Sequence, residues 1–92
     1  MKLLYCPKCH EVFSLDFVDK TCSCGGASGH YQEDGVHAVY RGGGIPLGIA
    51  NDSFDFAIAK QAILNKQSDI PFCGAKFHAW VVPMNSNTFI KE

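Results

Sequence analysis

No apolar run in this chain approaches the ~20 residues that a membrane-spanning helix needs. The opening Met1–Pro7 offers four apolar residues beside a single lysine before it reaches a cysteine and a proline, too few for the core of an export signal. The expected setting is therefore cytoplasmic, with no membrane partner. Positive charge is sparse as well. The eight basic residues are scattered from Lys2 to Lys91 without a cluster, and Arg41 is the only arginine. Nucleic-acid binders draw most of their affinity from neutralised phosphates, so DNA and RNA are not expected partners. The chemistry of an enzyme is missing too. There is no nucleophile elbow, no carboxylate pair and no histidine pair at metal spacing, and Gly42–Gly44 lacks the Lys-Ser/Thr ending of a phosphate loop. Repeats and low-complexity tracts are absent. A non-enzymatic protein is expected.

Cysteine, by contrast, is plentiful and patterned. Cys6 and Cys9 flank Pro7-Lys8, Cys22 and Cys24 flank Ser23, and twelve residues separate the two pairs. In a reducing compartment such pairs favour a metal over disulfides. A zinc ion takes deprotonated sulfurs on a tetrahedron at about 2.3 Å, and four cysteines fill it. The expected cofactor is a structural zinc, with iron as the alternative. The Cys22–Cys24 spacing is shorter than the usual C-x-x-C. An extended segment would still turn both sulfurs to one side. With four thiolates and a divalent cation, the formal charge of −1 falls to about −3. Cys6-Pro-Lys-Cys9-His10 also fits the c-type haem pattern, but that chemistry wants export and leaves Cys22 and Cys24 idle. His10 is expected beside the site, exposed or hydrogen-bonded.

Periodicity divides the chain into a zinc-ribbon lobe at 1–30 and a unit of strands and helix at 31–92, compactly joined. Phe13–Phe17 alternates as a half-buried strand, and Asp19-Lys20-Thr21 turns the chain back. A β-meander follows: His30–Gln32, a turn at Glu33-Asp34-Gly35, Val36–Tyr40, then a hairpin at Arg41–Gly44. Ile45–Ala50 is placed at a sheet edge or a bulge because Pro46 has no N–H. Asn51, Asp52 and Ser53 are candidate caps for a helix reaching about Lys66, with Phe54, Ala57, Ile58 and Ala62 on its apolar stripe. Ser68–Pro71 breaks it. Phe77–Pro83, apolar on both faces, reads as an interior strand. The expected fold class is α+β: an N-terminal zinc ribbon continuing into a small antiparallel sheet packed against one helix.

Outside the cysteine quartet two features invite a function. Cys73, five residues before His78, is read as a buried structural thiol, since no third group orients the pair. The start of the helix could seat an anion. Asn51 and Ser53 lie there, Arg41 lies at the far end of the preceding hairpin, and Tyr31 and His37 could hold a nucleotide by stacking or hydrogen bonding.

Cys6-Pro-Lys-Cys9, Cys22-Ser-Cys24-Gly25, Glu33-Asp34-Gly35 and Pro46-Leu-Gly-Ile-Ala-Asn51 together resemble a group of small zinc-ribbon proteins of bacteria and their phages. The resemblance spans roughly the first sixty residues. It implies a zinc lobe and an accessory protein that acts by binding, and it implies no activity. Binding to another protein, or to a second copy in a homo-oligomer, is the leading expectation. A nucleotide-binding module, such as a phage protein sequestering a signalling nucleotide, is the alternative.

Overall fold

A computed structural model describes residues 1–70 and 73–92. In chain order the elements are β1 (Lys2–Tyr5), β2 (Val12–Ser14), β3 (Lys20–Thr21), β4 (Ala27–Tyr31), β5 (Ala38–Gly42), β6 (Ile45–Ile49), α1 (Asn51–Leu64), β7 (Ala79–Val81) and β8 (Phe89–Lys91). The fold class is α+β. Two four-stranded sheets form, ordered β2-β1-β6-β7 and β3-β4-β5-β8. All pairs are antiparallel except β5–β8. Each sheet draws strands from both sides of residue 30, so the boundary read from sequence does not separate the sheets.

The core lies between them. Leu4, fully buried, points inward from the first sheet toward Ala27, Ala38, Tyr40 and Phe89 of the second, with Leu15, Cys6 and Cys22 completing the cluster. Phe89 meets the Tyr40 ring edge-on at 5.5 Å, a favoured aromatic geometry. That contact explains β8, a strand that the sequence left unplaced. Small residues let the two layers approach: a Cβ on Gly44 would fall 2.8 Å from Leu4.

Several expected boundaries move. The strand expected at Phe13–Phe17 ends at Ser14. After it, Leu15 N–H bonds Lys2 O, and the Asp16 side chain takes the Phe17 amide. Lys20-Thr21, expected as a turn, is a short strand. The Glu33–Gly35 turn forms, with Gly35 N–H donating to Gln32 O at 3.0 Å. Its Asp34 carboxylate captures the Val36 and His37 amides, delaying β5 to Ala38.

Arg41–Gly44 is no hairpin. It carries the chain from one sheet to the other, and Gly42 makes the passage at φ 80°, where a Cβ would run into the Gly26 carbonyl. Nor is β6 an edge strand. It runs between β1 and β7, and Pro46 is tolerated because its carbonyl still accepts the Val82 N–H at 2.9 Å, at the end of the β6–β7 ladder. The true edge is β7, whose three residues are all exposed, where an interior strand was expected. It is short and follows a segment that turns away to meet the helix.

Helix α1 begins without a side-chain cap; Ala50 holds the cap position. Asn51 is already helical, and its Oδ1 accepts from the Met1 amino group at 2.7 Å. The helix leans on residues 73–78, not on the face of a sheet. Phe77 packs edge-on against Phe54 at 4.9 Å, and Gln61 Oε1 accepts the Ala75 N–H at 2.8 Å. Only Ala57 is buried, so the expected stripe is split: Phe54 is half-buried, while Ile58 and Ala62 face outward. The expected break after Ser68 runs into residues 71–72, outside the described residues. Among the described residues no helix is long and apolar enough to cross a membrane.

Candidate metal centre

Two β-turn loops carry the four cysteines. The loop joining β1 to β2 holds Cys6 and Cys9, and the loop joining β3 to β4 holds Cys22 and Cys24. Despite unequal spacing, the loops share a frame. Cys6 N–H donates to Glu11 O and Cys22 N–H to Ala27 O, both at 2.9 Å and both spanning five residues. In each, the residue after the second cysteine takes a positive φ: His10 at 63° and Gly25 at 77°. The second pair therefore converges through a tight turn at Ser23-Cys24, not through the alternation of an extended strand. The turn reaches the same end by different means.

The four sulfurs lie within 4.8 Å of one another. Cys24 Sγ is 3.5 Å from Cys6 Sγ and 3.6 Å from Cys22 Sγ. Ligand sulfurs around one tetrahedral ion stand at about that separation, given metal–sulfur bonds of about 2.3 Å. Backbone amides point at the sulfurs from behind: Gly26 N–H to Cys24 Sγ at 3.4 Å and Ala27 N–H to Cys22 Sγ at 3.3 Å. Such donors favour negative charge on sulfur. The Cys9 amide does the most to lower the Cys6 thiol. Burial raises Cys22, but bonds from Cys24 and the Ala27 amide outweigh it and bring it to about 6. The Gly26 amide lowers Cys24, yet its bonds to Cys22 and Cys6 and its burial push it up to about 12. Donor type, spacing and amide support all fit a metal ion. With four sulfurs the site is closed, leaving no position for a substrate.

Three supporting residues escaped the sequence reading. Glu11 ends the first loop and reaches across to the second, accepting from Ser23 Oγ at 2.9 Å and from Ser23 N–H at 3.2 Å. Gly26 leaves room for sulfur, since a Cβ there would stand 3.2 Å from Cys24 Sγ. The Gly26 signal was available in the Cys24-Gly-Gly run; the Glu11–Ser23 tie was not, because it exists only once the loops meet. His10 lies beside the site as expected, exposed, with its Nδ1 hydrogen-bonded to Tyr5 Oη at 2.9 Å.

The five residues considered for a nucleotide are each engaged elsewhere. Arg41 bridges Asp19 at 2.6 Å and Glu92 at 3.2 Å. His37 bonds the Asp34 carboxylate, and Tyr31 Oη accepts the Lys2 N–H. Asn51 holds the Met1 amino group, while Ser53 Oγ donates to Ala50 O and accepts the His78 N–H at 2.9 Å. Among the described residues, the four main cavities are lined by neither Arg41 nor Asn51. Cys73 is exposed, contrary to expectation. It adjoins Lys60 and Leu64 across a shallow depression. Comparison with protein-family models, curated proteins and solved structures finds no match to this chain.

Proposed function

We propose that this chain is a non-enzymatic cytoplasmic protein, an accessory factor of bacterial or phage type, whose four cysteines hold a structural zinc. Its work is to bind protein through the outer face of the first sheet. The observation that carries this reading is the chemistry of that face. Strand register places Val12, Tyr5 and Ile45 in one row, Ser14, Leu3, Leu47 and Val81 in the next, and Ile49 with Ala79 in a third. One serine interrupts eight apolar or aromatic residues, no charge is present, and none of the nine is buried. A soluble monomer seldom leaves so continuous an apolar surface open unless something docks there. The metal site organises the face indirectly, because the first cysteine loop ends the β1–β2 pair that forms half of it.

Elemental analysis of the purified chain tests the metal: one zinc per chain is expected, and iron or no metal contradicts the assignment. A photoreactive residue placed at position 81, compared with one at position 18 in the loop that joins β2 to β3, tests the surface. Protein crosslinked from 81 and not from 18 is the expected result. Equal yields, or none, would count against binding by this face.

A further inference from the structure

We infer that the occupant of this face is a second copy of the same chain, each copy laying helix α1 across the outer face of its partner's first sheet. The inference rests on the reading of that face as a protein-binding surface. Its first support is area. A 10.1 kDa globular monomer is expected to expose about 5,300 Å², whereas this chain exposes 6259 Å². The excess, about 1,000 Å², compares with the roughly 800 Å² that each partner contributes to a standard stable interface. Shape agrees with area. The radius of gyration is 15.6 Å against about 12 Å for a compact domain of this length, and the long dimension is 49 Å against 29 and 23 Å for the others.

The helix itself is the second support. Its apolar residues are not confined to the side that meets residues 73–78 but are spread round it among the polar ones. One side meets residues 73–78 through Phe54 and Gln61. On another, Phe56, Ala59 and Ile63 follow one another at helical spacing, with Phe56 71% and Ile63 65% exposed. This chain thus leaves open an uncharged sheet face and an apolar helix stripe, the two halves of an ordinary helix-on-sheet layer. The helix is held away from its own sheet by Phe77, Ala75 and His78 along its length. A two-fold pairing satisfies both surfaces at once, because an isologous contact repeats each half of the exchange. A different protein would have to supply both complements itself.

The test is sedimentation equilibrium of the metal-loaded chain with Ile63→Lys, Val81→Lys and, as a control, Val18→Lys, a residue 76% exposed in the loop that joins β2 to β3. The wild type and the control should sediment as dimers. Either of the other substitutions should weaken the dimer at least about tenfold, the loss of one central apolar contact. One metal ion retained per chain shows that each variant is folded. Crosslinks from a photoreactive residue at 63, in a mixture of light and heavy isotope copies, should join the two isotopes at the outer-face residues. A dimer indifferent to both substitutions overturns the inference. A wild-type monomer also overturns it; crosslinking from position 81 to another protein then leaves the binding reading standing, and its absence removes both.

Discussion

Glu11 and Ser23 show how a metal site is stiffened by residues that never touch the ion. The carboxylate spans the two loops and fixes the backbone between Cys22 and Cys24. Because it orients the turn and not a sulfur directly, its removal belongs at the mild end of the 10–100-fold range for outer-shell ligand support. Glu11→Ala should raise the metal dissociation constant about tenfold in a chelator competition titration; an unchanged constant would show that the tie is incidental. Asp34 does comparable work in a turn. The His37 amide, then the Val36 amide and the His37 ring hold its carboxyl down to about 2 from the ordinary 3.8. A depressed carboxyl stabilises the fold fully above its unfolded value and loses that contribution as pH falls through the folded one. The four thiolates release a metal ion in acid of that strength, so the test belongs at neutral pH, where the contribution is complete: Asp34→Asn should lower the thermal midpoint of the metal-loaded chain. An unchanged midpoint contradicts the assignment. At this scale the cysteine quartet was legible because sulfur has few other uses at such spacing. Glu11 was not, since twelve residues separate it from its partner Ser23 and its side chain alone says nothing of the loop it will meet.

At the scale of elements, the Gly42–Gly44 passage decides the architecture. Gly42 combines a φ of 80° with a position where a Cβ would run into the Gly26 carbonyl, while a Cβ on Gly43 would meet nothing within 4 Å. Gly42→Ala should destabilise the chain by at least about 2 kcal/mol, from left-handed strain plus the clash. Gly43→Ala should stay within about 0.5 kcal/mol of wild type. Equal effects in chemical denaturation would mean that the crossover is not the constraint. Local signals could not choose between a hairpin and a crossover here, because both ask glycine for the same positive φ. Alternation likewise placed β6 as a strand but misjudged its neighbours: Pro46 reads as an edge marker, yet its one missing donor falls where the β6–β7 ladder already ends. For the helix, the periodic stripe was real in composition and silent about what would lie beneath it. Burial is a property of the surroundings, and here they are residues 73–78.

For the molecule as a whole, the position of the cysteine loops matters more than their number. Cys6 and Cys9 hang from the first sheet, Cys22 and Cys24 from the second, so a single ion held by all four would clamp the two layers over the Leu4–Ala27–Tyr40–Phe89 core. A core this small has little else to hold it, and metal binding energy becomes folding energy. On this account the metal would be a fastener for the entire fold, reaching beyond the lobe at 1–30. The direct test is hydrogen exchange, followed by mass spectrometry, on the metal-loaded chain before and after chelation. Loss of the ion should speed exchange throughout both sheets, including β5 and β6, which carry no ligand. Acceleration confined to the loops around Cys6–Cys9 and Cys22–Cys24, with β5 and β6 as protected as before, would contradict the account.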